Sequence, residues 1–265
     1  MLRFPVAAGT FYEKDAPRLK KQVAALLKET GEKIKAKAVI APHAGYVYSG
    51  AVAGEVFSSV VIPDIIIFIG PNHTGRGRPV AVMADGEWRT PLGDVRINGP
   101  VADEIIKNSR YAENDMLAHD AEHSIEVMLP IIQELKRSFT IVPVALGTHD
   151  LGSLKDTAES IAGAVKNRDV LIAASTDFTH YESAESARKK DALVIEAIEK
   201  MDPEAMAAVV GRHDISMCGM AAVYTALHAA LILGAKDARI LRYTNSGETS
   251  GDFSSVVGYA GGIIT

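Results

Sequence analysis

The stretch IIIFIGPNH, residues 65–73, decides how this chain folds. Five consecutive apolar side chains rich in β-branched isoleucine are too short a run for a helix, and they stop at Gly70 and Pro71. That is the pattern of a strand buried on both faces. Working outward, similar runs predict strands at Val39–Ala41, Thr140–Leu146, Val170–Ala174, Arg239–Tyr243 and Val256–Ala260. Between them lie stretches of helical periodicity: Ala16–Glu29, Ala51–Ser59, Gly99–Asn108, Ser124–Arg137, Leu151–Val165, Ala184–Lys200, Pro203–Gly211 and Gly219–Leu233. Alternation of this kind marks an α/β layered domain rather than a bundle or a β-sandwich. WRTPLGDVRI, from Trp88 to Ile97, reads as a hairpin turning at Pro91 and Gly93, so the sheet is expected to be mixed.

No linker-like stretch, internal repeat or low-complexity tract divides the 265 residues, which predicts a single domain over 1–265. The 28 basic and 33 acidic residues leave a net charge of −5 without long runs of one sign. Neither nucleic acid nor an anionic membrane is therefore expected as an obligatory partner, while small molecules and proteins stay open. The longest apolar run, VVIPDIIIFIG, is interrupted by Pro63 and Asp64 and cannot span a bilayer, and the first thirty residues lack signal-peptide organisation. A cytoplasmic location is the expectation. The single cysteine, Cys218, excludes an internal disulfide framework.

The polar residues fall in a pattern. VIAP leads into His43, IIIFIGPN into His73, IVPVALGT into His149, and VLIAASTDFT carries Asp177 with His180 just beyond. In open α/β sheets, ligands collect outside the carboxyl edge of the strands. One histidine at a strand end is ordinarily structural, but four at one edge predict a shared site, with Gly45, Gly70 and Gly75 allowing tight loops. Cys218 precedes a helix start, where the dipole would lower the thiol pKa below its free value of ~8.5; the alternative is a buried small hydrophobe. In DAEHSIEVMLP, Glu122, His123 and Glu126 stand at the head of an amphipathic helix, with His123 and Glu126 on one face. The acidic groups read as helix-capping carboxylates, and His123 with Glu126 as residues supporting a neighbouring ligand.

Taken in order, GTFY, APHAGYVYSG, GPNH, EHSIEVMLP, STDFTH and MCG resemble the Memo family, mediators of cell motility with archaeal and bacterial members, and the resemblance runs from Gly9 to the closing SSVVGYAGG. Memo proteins in turn look like class III extradiol dioxygenases, which implies a three-layer α/β/α sandwich with a mixed central sheet. The resemblance implies His43, His73 and Cys218 as metal ligands, with Asp177 and His180 beside the metal and His180 as an acid/base. Phe11 and Tyr48 would then edge a groove for a tyrosine-containing peptide, with Phe11 where animal members carry tryptophan. The departure from the dioxygenases is a thiolate in place of a carboxylate, which favours softer ions and alters redox potential.

Three protein ligands would leave an open position, as catalytic metal sites require. Iron or copper there suits oxygen or a reducible substrate, with Asp177 fixing the tautomer of His180 by a hydrogen bond; zinc would favour hydrolysis. The preferred expectation is a mononuclear non-haem iron or copper redox enzyme acting on a small molecule. A non-catalytic metal- and peptide-binding scaffold is the alternative. A metal-free cysteine hydrolase built on Cys218 is a third reading.

Overall fold

In a computed structural model, which describes residues 1–29 and 31–265, the described residues form one twelve-stranded sheet with helices on both faces. The strands are β1 (Leu2–Arg3), β2 (Ala38–Ala41), β3 (Ile65–Pro71), β4 (Val80–Val82), β5 (Glu87–Thr90), β6 (Gly93–Ile97), β7 (Glu113–Asn114), β8 (Thr140–Leu146), β9 (Val170–Ser175), β10 (His180–Glu182), β11 (Ala238–Asn245) and β12 (Val256–Ile264). The helices are α1 (Ala16–Leu26), α2 (Tyr46–Ser58), α3 (Gly99–Asn108), α4 (Leu129–Leu135), α5 (Leu151–Val165), α6 (Ala184–Glu199), α7 (Pro203–Arg212), α8 (Met220–Ile232) and the short α9 (Gly247–Ser250).

Across the sheet the main path runs β1-β5-β6-β8-β3-β9-β2-β12-β10. The four central strands β8, β3, β9 and β2 are parallel. β12 runs antiparallel to β2 and β11 to β12, and β5 with β6 forms the expected hairpin, so the sheet is mixed. Successive side chains of a strand point to opposite faces, and the two cores follow that alternation. Ile67, Ile69, Val142, Val144 and Ile172 pack with residues of α3, α5, α6, α7 and α8. Ile66, Phe68, Ile141 and Leu171 pack with residues of α1, α2 and α4. Three layers result, as the continuous apolar strands require.

Several boundaries differ from the sequence expectation. α1 stops at Leu26 rather than Glu29, and α2 starts at Tyr46, one turn before Ala51. The helix expected over Ser124–Arg137 is instead a 3₁₀ turn at Glu126–Met128 followed by α4. Pro130 lies in the first turn of α4; a proline has no N–H to donate and its ring crowds the carbonyl four residues back, so the α-helix cannot extend upstream through it. His123 and Glu126 consequently do not share a helix face. The short β1, β4, β7 and β10 carry too few residues for a period-two signal and escape sequence reading.

Because β3, β9 and β2 are parallel neighbours in that order, their carboxyl ends open at one edge. His73 follows β3, Asp177 follows β9 and His43 follows β2. The architecture thus gathers the polar residues that the sequence leaves scattered.

Candidate metal centre

At that edge His43, His73 and Cys218 each offer a ligand atom, and these atoms lie within 4.8 Å of one another. The Cys218 sulfur is 3.4 Å from His43 Nε2, and the His43 and His73 rings meet edge to face with centroids 5.2 Å apart. The first imidazole is aimed by a serine relay. Ser175 Oγ donates its one hydrogen to the Ser124 carbonyl at 2.7 Å, so at its 2.7 Å contact with His43 Nδ1 it must accept. The proton of His43 is therefore on Nδ1, and Nε2 turns a lone pair toward the sulfur.

His73 is aimed by Glu122. One carboxylate oxygen takes the His73 backbone N–H at 2.6 Å, and the other lies 2.9 Å from Nδ1. Burial works to raise the Glu122 pKa, but the hydrogen bond and charge of His73, the Ser124 backbone N–H and the nearby His123 bring it down to about 2. An ionised carboxylate only accepts, so His73 carries a proton on Nδ1; burial opposes a charge on this ring, but the hydrogen bond and charge of Glu122 outweigh it and raise the His73 pKa, and it is the neutral ring that leaves Nε2 free. A carboxylate backing a ligand imidazole is the arrangement that fixes tautomer and orientation in histidine metal sites. Glu122 also lies 3.4 Å from His123 Nδ1, and His73, Glu122 and His123 form a second ligand-like group overlapping the first. The His123 ring stacks on His73 at 4.8 Å and is capped by Phe11 at 4.5 Å. The sequence presented Glu122 only as a helix-capping carboxylate; its spacing carried no sign of the 49-residue link to His73.

Cys218 differs from expectation. Its thiol pKa is raised, not lowered: burial of the sulfur dominates and the Asp177 carboxylate adds to it. Gly219, not Cys218, caps α8, so the thiol stands behind the helix end rather than on its dipole. The sulfur is instead held to the end of β9. The Asp177 N–H donates to it at 3.2 Å, and the Gly219 N–H donates to Thr176 Oγ1 at 3.0 Å. A Cβ on Gly219 would stand 2.2 Å from the Ser175 carbonyl oxygen, so glycine is what permits this approach. Burial, then the His73 charge, pushes the His43 pKa down to about 3, and burial together with His43 takes His123 down to about 4. Neutral imidazoles are the form that binds metal.

Asp177 is buried and its pKa is raised by burial first of all. It does not hydrogen-bond His180 as expected. Its Oδ1 accepts the His43 backbone N–H at 2.9 Å and its Oδ2 lies 3.9 Å from His43 Nε2, because the turn after β9 faces the end of β2. His180 sits on β10, and its Nδ1 donates to the Ser216 carbonyl at 2.8 Å, which leaves Nε2 free. Glu126 is a second departure: it points away from the His43, His73 and Cys218 cluster into the core beneath, accepting from Arg3, Val6 N–H, Ala7 N–H and Tyr12 Oη. Tyr48 lies on the first turn of α2, 41% exposed, and the Tyr46 N–H anchors Phe11 through its carbonyl at 2.8 Å. His149 is exposed just before α5 and does not join the cluster.

The Memo-like protein family matches residues 3–263. The chain belongs to the Memo-like family. A MEMO1 family protein of Aquifex aeolicus is 41% identical over 99% of each chain, one of Methanopyrus kandleri 40% over 98% of each, and one of Thermotoga maritima 41% over the full length of both. Among solved structures, an uncharacterized protein from Escherichia coli K12 aligns with a TM-score of 0.57, covering 85% of this Memo-like chain and 98% of its own, at 12% identity. That last likeness is one of fold alone. Among the described residues of the Memo-like chain, no helix is long and apolar enough to cross a membrane.

Proposed function

We propose that this Memo-like protein holds one metal ion on His43, His73 and Cys218 and acts as an iron- or copper-dependent redox enzyme, dioxygenase-like, on a small-molecule substrate. The observation that carries this reading is the 3.4 Å between His43 Nε2 and the Cys218 sulfur. Bonds of roughly 2.0 Å to nitrogen and 2.3 Å to sulfur at a tetrahedral angle place two donors about 3.5 Å apart. The donor set fits on chemistry too, since both imidazoles have their outer nitrogens engaged by protein.

An ion bound there would supply an open coordination position for oxygen or a chelating substrate and, as iron or copper, electrons as well. The chain's own residues do the rest. Ser175 and Glu122 keep the ligand lone pairs aimed inward. His180, pinned through Nδ1, presents Nε2 to take or give a proton, and Asp177 sets the charge beside His43. Phe11, its ring tilted against His123 with centroids 4.5 Å apart, flanks one side of the site.

Anaerobic purification followed by metal analysis and oxygen-uptake assays with catechols tests this. Wild type should carry close to one iron or copper per chain, whereas Cys218→Ser and His73→Ala should lose most of it. Metal-free wild type that also consumes no oxygen would remove the reading. A non-catalytic metal- and peptide-binding scaffold is favoured by a different observation, the exposed Tyr48 and the Phe11 ring at the site. Tight tyrosine-peptide binding that survives substitution of His43 or Cys218 would support that alternative. A metal-free cysteine hydrolase has less behind it, because a raised thiol beside a depressed imidazole disfavours the thiolate–imidazolium pair.

A further inference from the structure

The segment from His119 to Ser124 carries Glu122 and His123, yet it is built of turns without regular helix or strand. Its backbone carbonyls at His119 and Glu122 belong to fully buried residues and need donors. The Glu122 N–H reaches the His119 carbonyl at 3.3 Å, and the remaining donors come from one side chain at the other end of the chain. Arg3 Nε donates to the His119 carbonyl at 2.9 Å and Nη2 to the Glu122 carbonyl at 2.6 Å, while Nη1 donates to Glu126 Oε2 at 2.5 Å. The guanidinium stacks on Trp88 at 4.2 Å, and Arg3 is 2% exposed.

This is more than a fastening for the N-terminus. β1 pairs with β5 at only two positions, Leu2 with Glu87 and Arg3 with Trp88, so the ladder alone is a weak hold. The planar fork of arginine spans four acceptors, the His119, Glu122 and Phe4 carbonyls and the Glu126 carboxylate, which an ammonium with three donors at one point cannot satisfy together. One of them is the main chain of the residue whose carboxylate aims His73. We propose that Arg3 is a positioning residue for the metal centre, acting through Glu122 on His73, and the proposal rests on the metal reading above.

Arg3→Lys keeps the charge opposite Glu126 and removes the fork; Arg3→Met removes both. Ile131→Val, a conservative change in the same core, serves as a control for lost stability. If Arg3 positions Glu122, cobalt(II) added to metal-free protein should bind about 10–100-fold more weakly to Arg3→Lys than to wild type. Its thiolate-to-cobalt and ligand-field bands should shift as well, while Ile131→Val keeps both affinity and spectrum. In metal-free protein, the His73 Nδ1 proton should exchange with solvent faster in Arg3→Lys than in the control. A folded Arg3→Lys with the wild-type spectrum and exchange rate overturns the proposal. If wild type binds no cobalt, the metal reading fails and the exchange comparison alone decides the role of Arg3. Should Arg3→Met not fold, Arg3→Lys carries the test.

Discussion

Ser175 and Glu122 do the same work by different chemistry: each occupies the outer nitrogen of one imidazole, so that the inner nitrogen of His43 or His73 has only the site to face. The histidines were legible as strand-end residues, but their tautomers were not. A tautomer is set by whichever partner folding brings within about 3 Å, and Ser175 is 132 residues from His43. His119 shows the same limit in a residue with no part in the centre. It is fully buried, Nε2 meets the Ala81 carbonyl at 3.2 Å, and burial above all holds its pKa down at about 4. A histidine whose folded pKa is depressed is neutral in the native state while the unfolded chain takes up the proton first. Its contribution is therefore intact above pH ~6.5 and is lost as pH falls toward about 4, by on the order of 3 kcal/mol. Urea titrations at pH 7.5 and 4.5 should show wild type losing more stability than His119→Gln, which can still donate to Ala81; equal losses would assign the acid sensitivity elsewhere.

At the scale of elements, His43, His73 and Cys218 come together because three parallel strands end at one edge and a helix start is pressed against them. The parallel pairing of β2, β3 and β9 is seen in the sheet itself, while their being strands follows from apolar runs that the sequence displays openly. The approach of α8 does not, since it depends on the empty space at Gly219 against the end of β9. Gly219→Ala should cost about 1–3 kcal/mol through overpacking, measurable by chemical denaturation. It should also weaken cobalt(II) binding, because Cys218 moves with the helix start. Wild-type cobalt affinity in that variant would mean that the sulfur is held by other contacts. The segment after Glu122 makes the complementary point. Helical periodicity runs on through Ser124, but Pro130 forbids an α-helix there and leaves irregular backbone, which is what lets Glu122 and His123 reach the site while Glu126 turns inward.

On the whole-molecule scale, Glu126 ties the N-terminal segment to the core beneath the centre. Four donors reach its carboxylate, from Arg3, Val6, Ala7 and Tyr12, and all four residues precede β2. Glu126→Ala strands a buried guanidinium, so a loss of about 3–5 kcal/mol is expected, read as a lowered urea midpoint. A loss under about 1 kcal/mol would show that water or another acceptor takes over. By itself the sequence determined the layered α/β architecture, the mixed sheet and the strand-end placement of His43, His73 and Asp177, because strand burial and turn residues are written locally, within a few positions. Tertiary structure alone decided which nitrogens face inward, that the thiol is pushed up rather than down, that Asp177 serves His43 instead of His180, and that Glu126 leaves the site for Arg3. Each of those depends on desolvation and hydrogen bonding between residues far apart in the chain, 175 positions for His43 and Cys218, and no local pattern encodes such a pairing.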